Sequence, residues 1–175
     1  MPSFLRRIAI IVSSVFACFA LLSAIVWVTS MPPKESKIVR DFNAHRAAYQ
    51  QVRTMLLEDK GVDTVADWGI EAPGSPIAQI PPDGGMMSAE RYQKYLALLK
   101  EIGATIVIRR PEPLGVGFGV WGAGWGGDTR HVDVRWMERE PSNTVASLEA
   151  FYRTAVPRKP SYVHIDGQWY IWADW

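Results

Sequence analysis

Apolar and polar residues change their rhythm twice along this chain, and each change predicts a different kind of element. Ile8 to Val28 is a run of 21 residues without a charge. At about 1.5 Å per helical residue it reaches about 31 Å, enough to cross a hydrocarbon core of about 30 Å. One membrane-spanning helix within residues 8–29 is therefore expected. Pro32-Pro33-Lys34-Glu35-Ser36 follows as a short, stiff linker, since paired prolines stop a helix from running on.

Beyond the linker, Ile38, Phe42, His45, Tyr49, Val52 and Leu56 recur at alternating spacings of four and three. They form one face of a single helix of about five turns, closed by Gly61. Arg40, Asn43, Gln50 and Arg53 fall on its wet face. Residues 71–85, with four Pro and three Gly, read as a long surface loop. Ser88 then suits an N-cap, with Glu90 in the first turn. Tyr92, Tyr95, Leu96, Leu99 and Ile102 mark the inner face of a second helix that Gly103 ends.

After Gly103 the period becomes two. Residues 104–109, 114–121 and 129–137 read as strands, and 161–165 with 168–172 as a hairpin turning at Asp166-Gly167. Residues 142–156 read as a connection. Helices first and strands afterwards predict an α+β chain: an N-terminal transmembrane helix, then one domain with two amphipathic helices packed on an antiparallel sheet of about five strands. The expected organisation is a basic cytoplasmic leader (1–7), a signal anchor (8–29), a Pro-rich linker (30–36) and an extracytoplasmic domain (37–175).

Composition narrows this picture. With 48% hydrophobic and 21% charged residues in 175, the chain is neither a disordered tail nor collagen-like. A cleaved signal peptide ending at Ser30 is the alternative to the anchor, but an h-region is usually about 7 to 15 residues and this one is longer. Cys18 follows Ala17 as a lipobox would want, yet bulky Phe16 and the apolar residues beyond suit a continuing helix better. Arg6 and Arg7 on one side face Lys34, Lys37 and Arg40 on the other, so charge alone does not orient the span. A basic leader ahead of an apolar run is how export signals begin, which favours the N-terminus inside.

With Arg6 and Arg7 set apart, 17 basic residues face 18 acidic ones. Such balance leaves no electrostatic footprint for nucleic acid. Arg109-Arg110 and Arg158-Lys159, each flanked by Pro, read as solubilising loop residues. Cys18 is the only cysteine, so the domain has no disulfide and no thiolate zinc site; three His on separate elements predict no metal, and no cofactor is expected.

The stretch from Gly115 to Gly127 contains the spacing Gly-x-Gly-x-x-Gly twice, from Gly117 and from Gly122. A strand follows where a phosphate-binding helix is required, which excludes nucleotide on this reading. The alternation itself is more informative. Val116, Phe118 and Val120 share one face, with bare Gly115, Gly117 and Gly119 on the other. On the next strand Val132, Val134 and Trp136 oppose His131, Asp133 and Arg135. If residues 122–128 close the hairpin with Trp121 opposite Thr129, then Gly119 faces His131, Gly117 faces Asp133 and Gly115 faces Arg135.

The glycines would then floor a trough walled by ionisable side chains, with Trp121 and Trp125 near its end: a candidate binding site. The competing reading is that the glycines merely make room for bulky neighbours on a solvated face. His45, one turn after Asp41, reads as a core histidine held by Asp41 or a backbone carbonyl. On the last hairpin Tyr162, His164, Trp169 and Ile171 are expected on one face, with Val163, Ile165, Tyr170 and Trp172 on the other. Seven of the eight tryptophans lie beyond the apolar run and serve either as core or as a recognition surface.

No catalytic pattern emerges, so the reading leans away from an enzyme. It expects a membrane-anchored extracytoplasmic binding domain for a peptide, protein or envelope glycan. An envelope hydrolase using His131 and Asp133, with Arg135 on an anionic group, and a structural subunit of a membrane assembly are the alternatives.

Overall fold

A computed structural model of the chain describes residues 13–21, 23, 31–75, 78, 85–110, 113–125, 128–154 and 159–174. The chain divides into two units, Met1–Pro32 and Pro33–Trp175, parting between the two linker prolines. In the first, residues 13–21 and 23 are helical and exposed, while residues 8–12, 22 and 24–28 of the apolar run lie outside the described residues. Among the described residues no helix is long and apolar enough to cross a membrane. The expected span therefore rests on the sequence pattern alone.

The second unit is α+β. Its helices are α1 (Glu35–Ala44), α2 (Arg46–Glu58), α3 (Ala89–Ile102) and α4 (Leu148–Thr154). Its strands are β1 (Thr64–Ala66), β2 (Gly69–Glu71), β3 (Ile106–Arg110), β4 (Gly115–Trp125), β5 (Asp128–Met137), β6 (Ser161–Asp166) and β7 (Trp169–Asp174). All seven strands join one sheet in the order β2-β1-β3-β4-β5-β7-β6, and every pairing between these strands is antiparallel.

Where the pattern predicted about five strands there are seven, because the β1–β2 hairpin is built from three-residue strands too short to show a period. The expected loop from residue 71 loses its first residue to β2, and residues 76, 77 and 79–84 lie outside the described residues. Residues 142–156, expected as a connection, contain α4.

The seam predicted as one helix is two. Ile38 and Phe42 are buried from α1, and Tyr49, Val52 and Leu56 from α2, but His45 between them sits at φ −120° and ψ 22° and interrupts the helix. Its ring is 41% exposed and lies 3.7 Å from Glu101, so it is not the core histidine that its spacing predicts. Asp41 is engaged instead by Lys37 at 2.7 Å and by Arg40. The second segment ends at Glu58, ahead of Gly61. Its C-terminal carbonyls are held by cations: Arg91 donates to the Met55 carbonyl at 3.3 Å and to Asp59, while Arg109 donates to the carbonyls of Leu56 and Asp59. Arg109 is thus a helix clamp rather than a solubilising loop residue. On α3, Ser88 accepts from the Arg91 N–H, and Gly103 closes the helix at φ 68°.

The core lies between the helices and one sheet face. Phe42, Tyr49, Phe118 and Trp169 meet there with ring centroids 5.0 to 6.0 Å apart, joining both halves of the broken helix to the middle of the sheet. Such aromatic pairs contribute about 0.5–1.5 kcal/mol each beyond the area they bury. Val107, Val116, Val132, Val134 and Ile171 complete that face, all fully buried.

Candidate functional site

The opposite sheet face carries the residues that alternate out of the core. β3 presents Ile106, Ile108 and Arg110 there, and β5 presents His131, Asp133 and Arg135, with the glycines of β4 between them. The pairing differs from the expected one by two residues: Gly115 opposes Met137, Gly117 opposes Arg135 and Gly119 opposes Asp133. A bulge at Val120 then shifts the register, so that Trp121 stands opposite core-facing Val132 and Gly122 opposite His131. Pairing continues to Trp125 and Asp128, where a broad loop was expected over 122–128; residues 126 and 127 lie outside the described residues. The Trp125 side chain lies outside the described residues.

The glycines have two different uses. A side chain at Gly115 would meet the Met137 sulfur and the Trp136 carbonyl oxygen at 2.9 Å, and one at Gly117 would meet Arg135 Nε and Asp133 Oδ2 at 3.4 Å. Those two positions make room for bulky neighbours from β5. Gly119 and Gly122 are also close to a neighbour, Ile106 Cγ2 at 2.6 Å and His131 Nδ1 at 3.3 Å from an added side chain, but they border open space as well. A cavity of about 490 Å³ opens there, lined by Thr105, Ile106, Ile108, Arg110, Gly119, Trp121, Gly122, His131, Asp133 and Trp172. That volume lies within the range of about 300–1,000 Å³ typical of small-molecule sites.

Of the expected site residues, Gly119, Trp121, His131 and Asp133 line the cavity, whereas Gly115, Gly117 and Arg135 do not. Trp121 reaches it while packing against the core cluster. Arg110, Ile106, Ile108, Thr105, Gly122 and Trp172 were not expected. Proline on either side of the arginine pair hid Arg110, although its strand alternation with Ile106 and Ile108 places all three on one face. Trp172 was hidden by the turn. Asp166 pairs with Trp169 across Gly167 and Gln168, and a register shift between His164 and Asp166 sets His164 opposite Tyr170. Val163, Trp169 and Ile171 therefore share the buried face, and Tyr162, His164, Tyr170 and Trp172 the other.

Arg135 and Asp133 form a side-on pair, with Nη2 and Nε donating to Asp133 Oδ2 at 2.7 and 3.0 Å. The guanidinium carbon also lies 3.6 Å from the Trp172 ring centroid, a cation–π contact, and Nη1 reaches the Tyr162 hydroxyl at 3.4 Å. Asp133 and Arg135 are only 8% and 6% exposed. Burial pushes the Asp133 carboxyl above the usual carboxylate range, against the pull of Arg135, Arg110 and His131. Burial also lowers the Arg110 pKa, with the charge of Arg135 adding to the effect. No hydrogen bond joins His131 to Asp133 among the described residues, and the shared carboxylate oxygen is held by Arg135, so the pair lacks the geometry of an oriented general base. Among the described residues no cluster of three or more His, Cys, Asp or Glu side chains is placed to hold a metal ion.

No protein-family model matches the chain, and no curated protein and no solved structure matches it either.

Proposed function

We propose that this chain is a membrane-anchored, extracytoplasmic binding domain that seats part of a peptide, protein or envelope glycan in the trough between β3, β4 and β5. The observation that carries this reading is the cavity over Gly119 and Gly122, where bare backbone, an apolar wall and a few polar groups converge. The 21-residue uncharged run and the basic leader support the anchor and its orientation.

Two measurements test it. A membrane-impermeant maleimide should label a Ser142→Cys variant on intact cells, with the native chain and its Cys18 as the background; labelling only after lysis overturns the orientation. Tryptophan fluorescence of the full chain should respond to at least one member of a panel of short peptides and envelope saccharides. Gly122→Val, whose side chain grows toward His131 Nδ1 at 3.3 Å, should remove that response. A response of equal size in native and variant protein places recognition elsewhere.

A further inference from the structure

We infer that the trough takes an acidic sugar, one hydroxyl donating to Asp133 Oδ1 and a carboxylate on the ring accepting from Arg110; this rests on the trough being the binding site. Both Arg135 donors go to Oδ2, so Oδ1 accepts no hydrogen bond among the described residues. It belongs to a residue that is only 8% exposed and points to the glycine floor, 4.0 Å from where a side chain at Gly119 would begin. Oδ1 is thus an acceptor left open to the trough, within reach of a ligand hydroxyl or N–H.

Arg110 supplies the complementary half. It lines the trough, and among the described residues no hydrogen bond or ion pair engages its guanidinium. Asp133 is matched by Arg135, so Arg110 is the trough's surplus positive charge, with His131 in the same lining. Ile106, Ile108 and Trp172 give an apolar wall for a ring face.

The floor argues for a sugar over a peptide. At Gly119 the main chain is paired on both sides, with Ile106 of β3 and Asp133 of β5. Beside Asp133 no free ladder remains for a peptide backbone, which is the usual means of extended-peptide recognition; in the described pairing the unpaired edge of β4 begins only at Trp121. Side chains must make the polar contacts, and a ring bearing hydroxyls and a carboxylate answers an acceptor and a cation at once.

The test uses the full chain in a polyoxyethylene detergent, which carries no sugar, titrated by calorimetry with D-glucuronate, D-glucose and an N-acetylated dipeptide with a free carboxylate. Glucuronate should bind about ten- to a hundredfold more tightly than glucose, the range of one charge-assisted hydrogen bond. Arg110→Gln should bring glucuronate down to the level of glucose, Arg110→Lys should keep part of the preference, and Gly122→Val should abolish both. Thermal denaturation should show Arg110→Gln folded as the native chain is.

Equal binding of glucuronate and glucose, or a preference untouched by Arg110→Gln, overturns the proposal. Dipeptide binding that exceeds glucuronate and vanishes in Gly122→Val also overturns it, while leaving the trough as the binding site. Loss of every response that depends on Gly122 overturns both.

Discussion

Glu35 and Glu149 cap each other's helices. The Glu35 N–H donates to Glu149 Oε1 at 3.0 Å, and the Glu35 carboxylate accepts from the Leu148 N–H at 2.8 Å. The first turn of each helix thus gains a carboxylate where its unpaired N–H groups and positive dipole end need one. Between them, the two residues fasten the end of the expected linker, where α1 already begins, to a short helix more than a hundred positions away.

Replacing Glu35 by Ala should destabilise the folded domain by about 0.5–2 kcal/mol, the range of a lost N-cap. Glu149→Ala should cost a similar amount, and the double variant less than the sum, because each change already breaks the shared arrangement. Urea denaturation with a double-mutant cycle measures this. Fully additive losses would show that the two carboxylates act independently.

Removing one partner of the Asp133–Arg135 pair should be far more damaging than removing both. Arg135→Met leaves a buried carboxylate without its guanidinium and should cost about 3–5 kcal/mol. Asp133→Asn combined with Arg135→Met should recover most of that loss, because a neutral amide replaces the stranded charge. Denaturation midpoints of the three variants decide it. A double variant as unstable as the single one would mean that packing of Arg135 on Trp172, not its charge, carries the effect.

The glycines of β4 should differ in tolerance by position. At Gly119 a new methyl would lie 2.6 Å from Ile106 Cγ2, so Gly119→Ala should cost about 1–3 kcal/mol. At Gly117 the nearest atoms are at 3.4 Å, and Gly117→Ala should be nearly neutral, its small strain set against the backbone entropy that alanine saves. Adding Ile106→Ala should lower the further cost of Gly119→Ala toward zero. Calorimetric melting of the set separates steric crowding from a simple loss of strand flexibility.

Two carboxylates should bend the pH dependence of stability in opposite senses. The folded pKa of Asp133 is raised by burial, so the native state binds that proton more tightly than the unfolded chain does. Its contribution falls as pH rises from the ordinary carboxylate value through the folded one. Asp41 is held below the ordinary value, first by its hydrogen bond from Lys37. Its contribution is present above the ordinary value and is lost as pH falls through the folded one. Carboxyl-carbon NMR titration should find Asp133 titrating above the ordinary carboxylate value and Asp41 below it. Chain stability should lose its Asp133 slope in the Asp133→Asn variant.

Strand alternation and helix caps were legible because they depend on neighbours in the chain. Ser88 and Gly103 mark both ends of α3, and Val116 and Phe118 announce the buried face of β4 from their spacing alone. The glycine face of β4 was legible as a face, but its partners were not. One inserted residue at Val120 moves every later pairing, and an apolar residue between glycine and tryptophan reads the same with or without a bulge. The break at His45 has no proline or glycine to announce it. Arg110 belongs to the site only because β3 lies beside β4, a contact between strands that local pattern does not express.

The bulge at Val120 is also a boundary in how the hairpin is supported. Up to Gly119, β4 is flanked by β3 and β5; from Trp121 to Trp125 its described pairing is with β5 alone, and residues 128–130 of β5 likewise pair only with β4. Gly119 therefore lies between two neighbouring strands and Gly122 beside one, β5, which still pairs with β7 at His131–Asp174; in the described pairing residues 123–125 and 128–130 alone form a two-stranded ribbon, a form that is marginal on its own. Trp121, Gly122 and His131 of the trough adjoin that ribbon, so its torsion acts on one end of the trough while Val132 and Val134 stay fixed beneath. Selectivity at such a place is set by the stiffness of the ribbon as much as by the side chains around it, and amide exchange should slow along the ribbon when the trough is filled.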